Sequence, residues 1–324
     1  MFSSIRRAVV AAAAMSALLG VSAPALADYP DRPIKILVSN GPGGPVDIMA
    51  RMLADHLGTK WQQSVVVENR PGASGIISTN ALAKAPKDGY TLAMVVSSTV
   101  TIVPFASSQM PFDPVQDLQP ISLVARTPFV FVVPTSSPIK SWADFVAQSK
   151  KRDMNLGSFS IGTAFHLVWE QTAKQAGIKA LYVPSASSGK TQNDLLGGQL
   201  DISLDAPASA KGLIDGGRLR ALAVTSAQRF PGLPDTPTLA ESGMPGYSAE
   251  PWIGLMAPAG TPAALIDKIG KDVNVALKDP SIIKQFAAVG MIPEGSTPQE
   301  LSQAMERDRK DMKPLVEQLG IKLQ

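Results

Sequence analysis

Cysteine is absent from the 324 residues, and histidine is reduced to His56 and His166. The first absence excludes disulfides, thiolate zinc sites, iron-sulfur clusters and a cysteine nucleophile, whichever compartment holds the protein. The second leaves histidine-rich metal sites and acid-base relays poorly supplied, so neither a metal nor an organic cofactor is implied. Charge of one sign is scarce as well. With 30 Lys+Arg against 27 Asp+Glu, the formal net charge is only +3, and the densest basic run is Lys150-Lys151-Arg152. A phosphate backbone needs a broader basic footprint, so no nucleic-acid partner is expected. Beyond residue 27 no run of 18 or more apolar residues is uninterrupted, which removes a membrane-spanning helix from the expected body of the protein.

What is present begins with an address. Residues 1–27 read MFSSIRRAVVAAAAMSALLGVSAPALA, with Arg6 and Arg7 ahead of an apolar run at 8–19, and with Ala25 and Ala27 framing Leu26. This is the pattern of a secretory signal peptide with an A-x-A-like cleavage site; its apolar run falls short of the roughly 20 residues that cross a bilayer. The mature chain is expected to start at Asp28, to be soluble, and to be exported to a periplasm. No cysteine follows the cleavage site to take a lipid anchor.

At roughly 150 residues per domain, the remainder suggests two units. Strand-like runs at 34–39, 65–68 and 90–96 alternate with helical patterns at 47–57 and 77–85, the signature of an α/β unit with a mostly parallel sheet flanked by helices. A second series follows, strand-like at 129–133, 180–183 and 219–225 and helical at 141–150 and 162–176. After a strand-like stretch at 253–257 the pattern turns helical at 262–277, 282–289 and 299–319, a tail expected to pack back on an existing unit. Thr261-Pro262 and Thr297-Pro298 read as N-cap plus first-turn proline, and Gly290 and Gly320 as helix stops. No repeat or low-complexity tether appears, so the units are expected to be joined by crossing strands.

Candidate chemistry gathers where strands should end, because ligands of open α/β sheets bind outside the carboxyl ends of the strands. Ser39-Asn40-Gly41-Pro42-Gly43-Gly44-Pro45-Val46-Asp47 joins the first strand to the first helix. Its glycines let amides turn inward toward an anion, and Asp47 can cap the helix. The loop lacks the G-x-G-x-x-G spacing of a dinucleotide site and reads equally well as a plain tight turn. Gly189-Lys190-Thr191 mimics the end of a phosphate-binding loop, but Pro184 stands where the loop needs glycine. Three polar clusters, at 97–99, 157–160 and 185–188, end strand-like runs, and Asp205 ends another. Hydroxyls and amides there can hold an anion without a countercharge; ordinary loop polarity is the rival for each. His166 lies among Phe165, Leu167 and Trp169, the setting of a structural histidine, and no G-x-S-x-G elbow accompanies it. Arg126 can clamp a carboxylate or serve the crossing between the units.

These residues resemble the TctC-like, or Bug-type, periplasmic solute-binding receptors of tripartite tricarboxylate transport systems. The resemblance runs along the mature chain: Tyr29-Pro30 with Pro33-Ile34, Pro42-Gly43-Gly44 with Asp47, Val67-Glu68-Asn69-Arg70-Pro71-Gly72-Ala73, Asp88-Gly89-Tyr90-Thr91-Leu92, the segment 195–201, the segment 219–225, Leu233-Pro234-Asp235-Thr236-Pro237-Thr238 and Ala257-Pro258-Ala259-Gly260-Thr261-Pro262. It implies a two-lobed type II periplasmic-binding-protein fold with the ligand in the cleft, lobe 1 spanning 28–127 and 252–324 and lobe 2 spanning 128–251. It further implies a monomer that binds a small organic carboxylate without chemistry and delivers it to membrane permease subunits. Carried over residue by residue, the ligand positions are Asn40, Gly43, Gly44 and Asp47 on the first loop, Ser158, Phe159, Gly162 and Thr163 on the second lobe, and Ser97, Ser98 and Asp205 as further wall.

Where the family usually has Pro-Tyr-Lys-Gly, this chain has Pro184-Ser185-Ala186-Ser187; where it has Pro-Phe-Ala, this chain has Val38-Ser39-Asn40; and Phe159 replaces a small residue. Loss of a tyrosine and gain of Phe159 lead to the expectation of a flat aromatic dicarboxylate such as terephthalate, stacked on the phenyl ring. The alternatives are a receptor for citrate-like or amino-acid carboxylates that signals to a sensor, and an exported hydrolase using Ser158 or Asp205 with His166.

Overall fold

The computed structural model describes residues 29–323 apart from Ser160, Gly162 and Ala186. The signal-peptide reading of residues 1–27 and the candidate Gly162 therefore lie outside the described residues. In chain order the strands are β1 (Ile34–Val38), β2 (Val65–Asn69), β3 (Thr91–Val96), β4 (Leu118–Arg126), β5 (Val130–Pro134), β6 (Asn155–Phe159), β7 (Leu181–Ser185), β8 (Ile202–Asp205), β9 (Leu219–Val224), β10 (Trp252–Pro258) and β11 (Ile292–Pro293). They form a six-stranded sheet ordered β11-β4-β10-β3-β1-β2 and a five-stranded sheet ordered β7-β6-β8-β5-β9.

Alternation along each strand sends successive side chains to opposite faces, and helices cover both. In the first sheet Ile36 and Val38 pack with Met49, Leu53 and Leu57 of the helix Pro45–Trp61, while Leu37, Ala93 and Val95 pack on the other face with Leu301 and Met305 of the helix Pro298–Gln318. In the second sheet Phe129, Phe131 and Val133 meet Trp142, Phe145 and Trp169, whereas Val130 and Val132 meet Leu195, Ala210 and Phe230. The two sheets thus own separate cores. The C-terminal segment also joins them: Leu167 of the helix Ala164–Ala176 is enclosed by Ile102, Ala106, Leu315, Val316 and Ile321.

Most strands of each sheet point one way, as expected, β1–β4 in the first and β6–β9 in the second, while the crossing strands introduce antiparallel pairs. β1 pairs in parallel with β2 and β3, and β6 with β7 and β8. β10, however, runs antiparallel to β3 and β4, β11 antiparallel to β4, and β5 antiparallel to β8 and β9. The reason is the double crossing. β5 is the strand by which the chain enters the second sheet, and β10 the strand by which it returns to the first. An entering strand starts at the edge where its neighbours end, so Val130 lies opposite Asp205 and Val224, and Trp252 lies opposite Arg126. The ends of β1–β4 and of β6, β8 and β9 consequently lie on the sides of the two sheets that are joined by the crossings.

Helix ends follow local chemistry. Thr297 and Glu300 form a capping box, with the Glu300 amide donating to Thr297 Oγ1 at 3.2 Å and the Thr297 amide donating to Glu300 Oε2 at 2.7 Å. Thr261 does not cap: its hydroxyl donates to the Pro258 carbonyl at 2.8 Å, and Pro262 is the N-cap of the helix Ala263–Ala276. Gly290 and Gly320 turn left-handed at φ 77° and 60° after their helices.

Candidate functional site

The loops leaving β1, β2, β3 and β6 converge on a cleft of about 390 Å³. Its wall includes Ser39, Asn40, Ser74, Ser98, Thr99 and Thr163, and no described residue that lines it is charged. Of the positions carried over from the sequence, Asn40, Ser98 and Thr163 line this cleft, while Gly43, Gly44 and Asp47 are outside its lining and belong to the loop and helix start that follow Asn40.

Asp47 shows how. Its buried carboxylate accepts from the Gly43 amide at 2.9 Å, from Arg51 Nε at 3.0 Å and from Asn69 Nδ2 at 2.8 Å. Asn69 also donates to the Asn40 carbonyl at 2.9 Å, so one carboxylate ties the whole loop to β2. The Arg51 hydrogen bond is the main cause that lowers the Asp47 pKa to about 2, against the upward push of burial, with the Gly43 amide and Asn69 adding to it. The expected capping role shifts accordingly. Gly44 is the N-cap, and Asp47 closes back on an amide ahead of the helix. Gly43, at φ 81°, permits that tight return.

Other predicted residues are engaged inside their own sheets. Ser97 Oγ accepts from the Trp252 amide at 3.2 Å. Ser158, 1% exposed, donates to the Leu204 carbonyl at 2.7 Å. Asp205 accepts from Ser188 Oγ and Gln192 Nε2, each at 2.7 Å, and from the Ala206 amide at 2.8 Å. The Phe159 ring tilts against Phe165 at 4.7 Å between centroids, and Phe165 stacks on Phe129 at 3.8 Å. The Tyr182 hydroxyl donates to the Phe159 carbonyl, pinning this loop to β7; burial above all pushes its pKa up to about 12, opposed by hydrogen bonds with the Ser158 and Thr163 side chains. The cluster at 185–188 serves a helix instead of the cleft, since Ser187 Oγ caps the Lys190 amide at 3.3 Å and Lys190 Nζ pairs with Asp194 at 2.6 Å.

His166 is buried against Tyr182, ring centroids 4.5 Å apart, with Nε2 3.6 Å from Glu170 Oε1, and burial lowers its pKa. Ser158 gives its proton to the Leu204 carbonyl and Asp205 is held by three donors, so both are engaged within the second sheet.

A second cavity, of about 530 Å³, lies where the chain crosses between the sheets. Arg126 forks onto Glu294 there, with Nη2 3.2 Å from Oε1. Glu250 accepts from the Ala227 amide at 3.2 Å and Ser248 Oγ at 3.1 Å, and Asp308 accepts from the Trp252 indole at 2.6 Å. Burial raises the pKa of both acids. Only Arg126 of this group was singled out by the sequence; its partner lies 168 positions away, beyond any local pattern.

Residues 49–321 match the family described as tripartite tricarboxylate transporter family receptor, TctC. Protein BugT of Bordetella pertussis (strain Tohama I) is 35% identical over 311 residues, 95% of each chain. An R. palustris structure with adipate is 31% identical, with a TM-score of 0.72, and covers 91% of this chain and 99% of that one. MatC from Rhodopseudomonas palustris, with bound malate, is 25% identical, with a TM-score of 0.67, over 89% of this chain and 100% of that one.

Proposed function

This chain belongs to the tripartite tricarboxylate transporter receptor family, and from that premise we propose that it captures a small dicarboxylate in the uncharged cleft and delivers it to the membrane permease subunits of a tripartite transporter. The observation that carries the reading is the wall itself: hydroxyl and amide groups from the loops of both sheets, with no charged side chain among the described lining residues. Neutral donors hold a carboxylate by hydrogen bonds, and the start of the helix Ala164–Ala176 at Thr163 adds partial positive charge. A ligand touching both sheets favours their approach by its greater affinity for the closed arrangement. Adipate and malate in the two R. palustris relatives are dicarboxylates of different length.

Lobe 1 is assigned to 28–127 and 252–324 and lobe 2 to 128–251, in keeping with the strand membership of the two sheets. The protein acts as an exported periplasmic monomer after removal of residues 1–27. Asn40, Ser98 and Thr163 meet the ligand; Gly43, Gly44 and Asp47 set the loop; Ser97, Ser158 and Asp205 brace the wall. Within the dicarboxylates, an aromatic one such as terephthalate is the finer reading. It rests on the half-buried Phe159 and Phe165, which form an aromatic ladder beside Thr163 and Ala164 of the cleft wall.

The test is thermal shift followed by calorimetry against malate, adipate, terephthalate and matched monocarboxylates. A ligand at 100 times its Kd adds about 2.7 kcal/mol to stability. Stabilisation by dicarboxylates supports the receptor reading, and no response to any carboxylate sinks it. Terephthalate binding that Phe159→Ala weakens more than adipate binding supports the aromatic reading; response to aliphatic acids alone removes it.

A further inference from the structure

Four consecutive residues after β2 hold positive φ: Gly72 at 122°, Ala73 at 46°, Ser74 at 52° and Gly75 at 91°. Glycine adopts such angles freely, but in Ala73 and Ser74 the Cβ crowds the neighbouring carbonyl. Two adjacent non-glycine residues stay there only when their surroundings over-determine the turn. Here Thr99 Oγ1 donates to the Ser74 carbonyl at 2.9 Å, and the Gly75 amide donates to the Gly72 carbonyl at 3.0 Å. A Cβ on Gly75 would meet Thr99 Oγ1 at 2.3 Å, so the turn is seated directly on the residues that follow β3.

Gly72, Ser74 and Gly75 line the same cleft as Asn40, Ser98 and Thr163. The Ser74 hydroxyl and the amides of Ala73 and Ser74 make no hydrogen bond among the described residues, and Ser74 is exposed. In a cleft whose described lining carries no charge, a dicarboxylate needs two separate sets of neutral donors. Asn40 and Thr163 belong to the loops of β1 and β6; the turn after β2 is a further wall, with free donors and a fixed shape.

Resting on the receptor reading above, we propose that Ser74, held in this left-handed turn, is a specificity-determining residue that donates its hydroxyl, together with the Ala73 and Ser74 amides, to the second carboxylate of the ligand. The turn thereby separates dicarboxylates from monocarboxylates. Its non-glycine residues serve that purpose because a turn of Ala73 and Ser74 has less conformational freedom to lose on binding than a flexible glycine turn would.

Calorimetry of adipate and hexanoate binding to the mature wild-type protein, Ser74→Ala and Ala73→Gly tests this. Ser74→Ala is expected to weaken adipate about tenfold while leaving hexanoate unchanged, with an unaltered Tm. Ala73→Gly, which keeps the hydroxyl, is expected to weaken adipate about threefold without lowering the Tm. Adipate affinity unchanged in Ser74→Ala, or an equal loss for both acids, overturns the proposal while the receptor reading stands. If the wild-type protein binds no mono- or dicarboxylate in the wider panel, the receptor reading falls and takes this proposal with it.

Discussion

The cleft of about 390 Å³ carries no charged side chain on its described wall, whereas the cavity of about 530 Å³ beside it carries Arg126, Arg307, Glu250, Glu294, Asp308 and Asp311. They are near neighbours. Ser97 lines the charged cavity and Ser98 the neutral cleft, and Ile102 and Ala164 border both. A neutral wall can exchange water for ligand without stranding a buried charge, and so tolerates repeated filling and emptying. Fixed ion pairs suit the opposite role. Each partner is costly to leave alone, so the pair resists rearrangement where the chain crosses between sheets. Placement of charge therefore separates the part proposed to receive a ligand from the part that holds the joint.

The largest effect is expected at the loop anchor. Asp47→Ala strands the Gly43 amide, Asn69 and Arg51, and should cost about 3 kcal/mol in urea unfolding and abolish dicarboxylate binding. Retained affinity would mean that the neutral cleft does not depend on this loop. Next comes Arg126→Ala, which leaves Glu294 beside Glu250 and should cost about 2 kcal/mol, with ligand affinity held within about threefold. A collapse of affinity there would erase the division between the two cavities.

The two regions should also respond oppositely to pH. The depressed pKa of Asp47 contributes stability that is present above the ordinary carboxylate range and lost as pH falls from about 4 to about 2. Because Arg51 is half exposed and solvent screens the pair, the loss is on the order of 1 kcal/mol, and Asp47→Asn should remove it. Glu250 and Asp308 have raised values, so their contribution is full below the ordinary range and declines as pH rises through their folded-state values. Urea midpoints for wild type, Asp47→Asn and Glu250→Gln across pH 2 to 7 read both signs. Smallest of all, ligand affinity should change less than about threefold between low and high salt, since none of the described residues lining the proposed site is charged. A steep salt dependence would bring a cation into the site.

Much of this organisation was legible. Two α/β units, the glycine loop after β1 and the N-cap at Thr297 follow from local patterns that depend on a few neighbouring residues. β4 was harder to read as a strand, because Pro120 interrupts its apolar run and its pairing with β10 carries register shifts. The helices Ser188–Leu196 and Pro207–Asp215 open with Ser-Gly-Lys and Pro-Ala-Ser, which locally favour turns, and tertiary packing of Leu195 and Ala210 prevails. At the site, Asp47 was visible as a residue but not as the anchor for Asn69, 22 positions later. The turn at Ala73 and Ser74 left no signal of its own, since neither side chain favours positive φ and the turn is tied down by Thr99, 25 positions beyond Ser74.

The position of β10 has a consequence for the order of assembly. It lies between β3 and β4, so those two strands share no ladder of their own and the middle of the first sheet is supplied by residues 252–258. Every strand of the second sheet, by contrast, comes from the uninterrupted stretch 130–224. A chain emerging amino end first can complete its inserted half while its first half still waits for a missing centrepiece, exposing apolar edges to any holdase at hand.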